Sequence, residues 1–176
     1  MLKILLITFW VIFITGCSTV VKTTPVKTQE VKKPIVVKHQ RFQTVAKEKA
    51  ILLQDKEHKE SCYICGMNLV KFYKTSHAAS EMGKVHQYCS LHCLTKHLSK
   101  KGVELENPIV VDVASLKFIP VQEAYYVVGS SKPATMSRVS KYAFKSLKDA
   151  KKFQKENGGK IVDFYTAWQL AKKDFQ

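Results

Sequence analysis

Four cysteines fall in two close pairs, Cys62-x2-Cys65 and Cys89-x3-Cys93, with 23 residues between the pairs. Thiols so spaced can form two disulfides in an oxidising compartment, close a structural zinc site, or hold a soft ion such as Cu(I). Spacing alone leaves all three open. Cys65-Gly66-Met67 sets a thioether two residues beyond a thiol, with a glycine that lets the backbone turn between them. A mixture of Cys and Met suits Cu(I), whereas Zn²⁺ is ordinarily held by Cys and His. Cys93 and His97 stand four residues apart in a helical stretch and so share a face, which makes His97 a candidate ligand. Met82 and Met136, on type alone, serve packing as readily as ligation. His58, His77, His86 and His92 are isolated in the sequence, and isolated histidines are ordinarily surface residues. No acidic cluster adjoins the cysteines to argue for a harder metal.

No catalytic set competes with the sulfur. The chain lacks a glycine-rich phosphate loop, a G-x-S-x-G elbow and a helical H-E-x-x-H. A Cys beside a His can act as a nucleophile. The C-x-x-C here is not set in the β-α-β pattern of a thioredoxin-type redox catalyst, so an enzyme is not expected.

The elements that must position these residues form a weak internal repeat with a period in the low fifties. The first half reads as an extended stretch Leu69 to Tyr73, a strand Lys84 to Tyr88, a helix from Leu91 to about Lys100, and a strand Pro108 to Val113. The second half reads as Glu123 to Gly129, a strand around Lys141 to Phe144, a helix Leu147 to Asn157 and a strand Lys160 to Phe164. Ser90 and Ser146 stand where each helix needs an N-cap, and Gly158-Gly159 supplies a stop. A last helix runs from Thr166 to about Lys173 and carries Trp168, Leu170 and Ala171 to packing positions. The fold class expected is α+β: two small β-β-α-β units side by side, over residues 61–113 and 114–176. Residues 42–60 place Phe42, Val45, Ala46, Ala50 and Leu53 at helical spacing and predict an amphipathic adaptor helix.

The start of the chain reads as an address. Lys3 is followed by Ile4 to Ile14, eleven residues that are apolar apart from Thr8. That is short of the roughly 20 residues needed to span a bilayer and fits the core of a secretory signal. Ile14-Thr15-Gly16-Cys17 resembles a bacterial lipobox. It predicts a signal peptide over 1–16, acylation of Cys17 and an extended tether over 17–41 that is rich in Thr, Val and Lys. Ser18 in place of Asp after the lipidated cysteine points to the outer membrane, facing the periplasm.

That location also disposes of the charge. The chain of 176 residues carries a formal +15, which would ordinarily suggest nucleic acid. The excess is spread along the chain, and only Arg41 and Arg138 are arginine, the side chain best suited to bidentate recognition of phosphate and base. Solvated lysines on a membrane-anchored protein account for it, and nucleic acid is not expected as a partner.

Taken together, the lipobox, the tether, Cys62-Tyr63-Ile64-Cys65-Gly66-Met67, the run Ala124-Tyr125-Tyr126-Val127-Val128-Gly129-Ser130, Met136, Ala150-x-x-Phe153 and the ending Gly158-Gly159-Lys160-Ile161-Val162-Asp163-Phe164 resemble the NosL family. These are copper-binding accessory lipoproteins of nitrous oxide reductase maturation. The resemblance covers roughly residues 60 to 170. It implies a monomeric, non-enzymatic Cu(I) carrier whose ion passes to nitrous oxide reductase through an ABC-transporter-linked apparatus. Carried over, the family's motif implies Cys65, Met67 and Met136 as ligands, with Cys62 adjoining. Two features depart from the family pattern. Tyr88-Cys89-Ser90-Leu91-His92-Cys93-Leu94 is similar to the second half of TRASH-like metal-binding modules, and Met136 is flanked by Thr135 and Ser137. Cys89 and Cys93, with His97, therefore either join the first pair in one four-sulfur site, form a second metal site, or close a disulfide. The alternative function is a zinc-binding or disulfide-stapled lipoprotein acting as an assembly or metal-sensing module.

Overall fold

The computed structural model describes residues 41–175. The expected signal peptide, acylated Cys17 and nearly all of the tether lie outside the described residues. No helix among the described residues is long and apolar enough to cross a membrane.

The first unit opens with strand β1, His77–Glu81, which turns through Met82 and Gly83 into β2, Lys84–Tyr88. Both turn residues have positive φ, 48° and 78°, as a two-residue hairpin loop requires. Helix α1, Leu91–Leu98, follows two residues later, and its N-cap Ser90 accepts a hydrogen bond from the Cys93 amide. Strand β3, Glu106–Val111, then returns beside β1, and β4, Phe118–Pro120, adds an edge. The second unit repeats the plan. Strand β5, Tyr125–Val128, pairs with β6, Lys141–Phe144; helix α2, Leu147–Asn157, leads to β7, Lys160–Val162, on the other side of β5. The sheets have the orders β2-β1-β3-β4 and β6-β5-β7, antiparallel throughout, so the first strand of each unit is central. Helix α3, Phe164–Lys172, starts at Asp163, whose carboxylate accepts from the Thr166 amide at 2.8 Å. The α+β class and the duplicated β-β-α-β plan are thus present. A parallel bridge between Asp112 and Ala143 links the two sheets, and one apolar core runs through both units.

Two expectations are corrected. Residues 42–59 are not a helix; apart from short 3₁₀ turns at Lys47–Lys49 and Lys56–His58 they form an extended strap. The apolar residues do serve as anchors: Phe42 packs on Tyr142 and Phe153, and Val45 is buried. The backbone, however, finds tertiary partners in place of helical ones. The Ile51 amide donates to the Tyr73 hydroxyl at 3.1 Å and the Leu53 amide to Gln87 Oε1 at 2.9 Å. Anchors at helical spacing do not by themselves make a helix when side chains elsewhere satisfy the N–H groups.

The second correction concerns Leu69 to Tyr73, which forms turns and not the opening strand of the first unit. Leu69 and Tyr73 are both fully buried plugs. The strand is His77–Glu81, whose sequence HAASE carries no alternating apolar pattern. It is central, and small side chains let helix α1 lie against it.

The stop of helix α2 is enforced by close approach as well as by conformation. At Gly159, φ is +94° and a Cβ would stand 2.8 Å from the Val128 carbonyl oxygen. We expect Gly159→Ala to destabilise the fold by about 2 kcal/mol or more, read by chemical denaturation, with unchanged stability as the contrary result.

Candidate metal centre

The cysteines reach one point from three pieces of chain. Cys62 and Cys65 sit on a knuckle whose neck is the bridge Ser61–Asn68. Within it the Cys62 amide donates to the Met67 carbonyl at 2.8 Å and the Gly66 amide to the Cys62 carbonyl at 2.9 Å. Gly66 has φ +73° with open space around it, so the tight turn demands its conformation and not its size. The Tyr63 amide donates to the Gln87 carbonyl at 2.9 Å, which ties the knuckle to the end of β2. Cys89 follows β2 directly, and Cys93 lies in the first turn of α1.

These constraints merge the two pairs into one group. Cys65 Sγ lies 3.6 Å from both Cys89 Sγ and Cys93 Sγ, and Cys89 Sγ lies 3.7 Å from Cys93 Sγ. All four sulfurs, Cys62 included, fall within 4.8 Å of one another, and none is in a disulfide. Four thiolates placed about 2.3 Å from a central ion would stand about 3.8 Å apart at tetrahedral angles, close to the three edges among Cys65, Cys89 and Cys93. Cys62, Cys89 and Cys93 are buried in the main core, while Cys65 is exposed. The group is therefore closed on the protein side and open at one sulfur.

Thiols packed this closely share their protons. Hydrogen bonds from Cys89 and Cys93 hold the Cys62 thiol far below its usual range, and the same hydrogen bonds, with burial, push Cys89 and Cys93 up. An incoming cation must therefore displace protons from the raised thiols of Cys89 and Cys93. Metal binding at pH 7 should release protons from the thiols it engages, and affinity should weaken as pH falls. Calorimetry in buffers of different ionisation enthalpy counts the protons; metal uptake without proton release would contradict this.

The other residues singled out from the sequence fall into different places. Met67 is half-buried against the core around the cysteines. His97 is separate from the sulfur group: its Nδ1 lies 2.9 Å from the Tyr88 hydroxyl, and its Nε2 faces Glu81. Met136 lies in the connection between β5 and β6, residues 129–140, where the first unit has only Met82 and Gly83. It has φ +57°, is exposed, and lines a surface cleft with Arg138, Val139, Leu170 and Asp174; none of the four cysteines lines that cleft.

His77, isolated in the sequence and expected at the surface, is not a surface residue. It is buried between the units, Nδ1 3.0 Å from the Thr75 carbonyl and Nε2 3.1 Å from the Tyr126 hydroxyl. The Nδ1–H donates to Thr75, and Nε2 accepts from Tyr126. Burial depresses its pKa to about 4, so it is neutral at pH 7. Nothing in the residues around His77 marks it as buried, since its partner lies 49 residues away.

The NosL family profile matches residues 53–167. No curated protein matches the chain. Among solved structures, the crystal structure of the copper chaperone NosL from Shewanella denitrificans is similar, at 25% sequence identity and a TM-score of 0.49. The likeness covers 64% of this chain and 93% of that one.

Proposed function

The chain belongs to the NosL family, and we propose on that basis that it carries Cu(I) as cargo in its four-sulfur cluster and passes it to a partner. The observation that carries this reading is the cluster itself: four free thiols at ligand spacing, three buried and Cys65 the most accessible of them. Soft thiolates select Cu(I) over harder ions. Cu(I) is content with two or three sulfur ligands, so an incoming ligand can displace one thiolate without the ion becoming free. Cys65 is the thiolate an incoming ligand can reach. The work is binding and transfer and not catalysis. In the family's setting the recipient is nitrous oxide reductase with its ABC-transporter-linked maturation apparatus. The carrier is a monomer held at the outer membrane through acylated Cys17 and faces the periplasm.

A second reading rests on the same distances. Edges of 3.6–3.7 Å among Cys65, Cys89 and Cys93 also suit tetrahedral Zn²⁺, which would make the site a structural staple. Anaerobic titration of the reduced protein with Cu(I) and with Zn²⁺ separates the two, repeated on Cys65→Ser and Met136→Leu. Cargo copper predicts tight Cu(I) binding that falls in Cys65→Ser and exchanges rapidly with a competing chelator. Unchanged Cu(I) affinity in Cys65→Ser would sink the carrier reading. Inert Zn²⁺ whose removal unfolds the protein would establish the staple. Met136→Leu decides whether the thioether implied by the family resemblance shares the ion: affinity within about threefold of wild type excludes it, and a fall matching that of Cys65→Ser includes it.

A further inference from the structure

The second sheet has two different faces. Along β5 and β6 the side chains of Tyr126, Val128 and Ala143 join the main core with Cys62, Cys89 and Cys93. Val127, Tyr142 and Phe144 point the other way, into a core of their own. Helix α2 closes that second core with Ala150 and Phe153, and Phe42 packs beside it, its ring centroid 5.7 Å from that of Phe153. Arg41 immediately precedes Phe42, so the segment that leads from Cys17 joins the fold on the α2 side of the sheet and not on the side of the sulfur cluster.

This side of the molecule is basic. With Ala150 and Phe153 turned inward, the helical repeat gathers Lys148, Lys151, Lys152 and Lys155 within an arc of about 100° on the outer side of α2, and all four are exposed. The acids of the helix, Asp149 and Glu156, fall together on one flank and leave the lysine crest unbroken. The charge continues around Phe42. Lys74 Nζ stands 4.2 Å and Lys132 Nζ 5.1 Å from the centroid of its ring. Burial and the charge of Lys132 both lower the pKa of Lys74, so the fold holds two cations together against a repulsion that an anion would relieve. Among the described residues the lysine ion pairs are Lys47–Glu60 and Lys141–Asp174, so none of these cations is matched by a carboxylate.

We propose that the outer side of α2, with the cations around Phe42, is a docking face for an anionic lipid surface, whose headgroup phosphates meet Lys148, Lys151, Lys152 and Lys155. The inference rests on the reading of Cys17 as the lipid anchor. Residues 18–41 can reach no further than about 80 Å, which keeps the fold near the leaflet and raises the effective concentration of headgroups at this face. Lysine suits such a surface. It is a compact, solvated charge drawn to a diffuse layer of phosphates, whereas a shaped acidic protein is better met by the planar fork of arginine. Docked in this way, the second sheet lies between the lipid and the core that holds the sulfur cluster, which stays on the side open to a partner in the aqueous phase.

NMR of the full acylated chain on lipid nanodiscs tests this, with a nitroxide-headgroup lipid broadening the amides that approach the surface. One set of discs is phosphatidylcholine and the other an equal mixture with phosphatidylglycerol. On the anionic discs the α2 amides should broaden at least about threefold more than on the neutral ones, and more than those of α1, with the difference lost in about 0.5 M salt. The double variant Lys148→Glu with Lys155→Glu should abolish it, while Lys96→Glu with Lys100→Glu, the same charge change on and just after α1, should leave it intact. Equal broadening of α1 and α2, equal broadening on both discs, or equal loss in both double variants would each overturn the proposal. So would an α2 that ignores anionic discs yet is perturbed by soluble polyglutamate, which would assign the face to an acidic protein. The anchor is read separately by flotation with neutral vesicles. A chain that does not float refutes the anchor, whereas the comparison of α2 with α1 on anionic discs decides the docking face in either case.

Discussion

Cys89→Ser is expected to lower the affinity of the sulfur cluster for Cu(I) and for Zn²⁺ by at least about 100-fold. Cys89 is fully buried and lies 3.6 and 3.7 Å from Cys65 and Cys93, so no other side chain can move into its place. Serine offers a hard, poorly acidic oxygen on a shorter bond and leaves a polar group in a core position. Competition titration with a chelator of known affinity reads the change under anaerobic, reducing conditions. The outcome matters for the ligand set, because the motif residues Cys62, Cys65 and Met67 make no use of the second cysteine pair. If Cys89→Ser binds Cu(I) as tightly as wild type, the four-sulfur group is a packing arrangement and the ion is held by the motif alone.

Acidification supplies the second large effect. His77 has its pKa depressed to about 4 by burial, against an unperturbed 6.5, so the unfolded chain binds the proton more readily than the folded one. The native state is therefore at full advantage above about pH 6.5 and loses stability as pH falls toward 4, levelling below that. Two and a half units correspond to about 3 kcal/mol at the low end of the window. Lowered values at His86, His92 and His97 act in the same direction, so the His77 share is isolated by difference. Urea denaturation of the apo, reduced protein should give a slope between pH 6.5 and 4.5 that is markedly flatter in His77→Gln. Identical slopes in the two proteins would show that His77 accepts its proton without opening the contact between the units. At pH 7, His77→Gln should itself be destabilising, because the Tyr126 hydroxyl and the Thr75 carbonyl are left to find new partners in a buried place.

The helices were legible because their signals are local. Ser90 and Ser146 cap α1 and α2 as their positions imply, and Gly158-Gly159 ends α2 through positive φ values of 72° and 94°. Strands β5 and β6 follow from apolar and aromatic runs. Strand β1 was not legible, because HAASE owes its central place to the strands on either side of it and not to its own side chains. The strap at 42–59 misled for the converse reason: its apolar anchors have helical spacing, but Tyr73 and Gln87 take the backbone hydrogen bonds.

The same division holds at the site. The sequence by itself determined that sulfur carries the chemistry, since thiols in two close pairs with Cys65-Gly66-Met67 admit few other roles, and that the basic residues are dispersed along the chain. Only the tertiary structure decided that the pairs form one four-sulfur group, because the hydrogen bond from the Tyr63 amide to the Gln87 carbonyl and the packing of the Tyr63 ring on His86 and Tyr88 tie the knuckle to the end of β2, next to Cys89. It also placed Met136 in a separate surface cleft, and brought Glu81, His86 and His97 together from residues with nothing in common along the chain. Ligand types are written residue by residue, but the distances between them are fixed by backbone pairing between segments far apart in sequence.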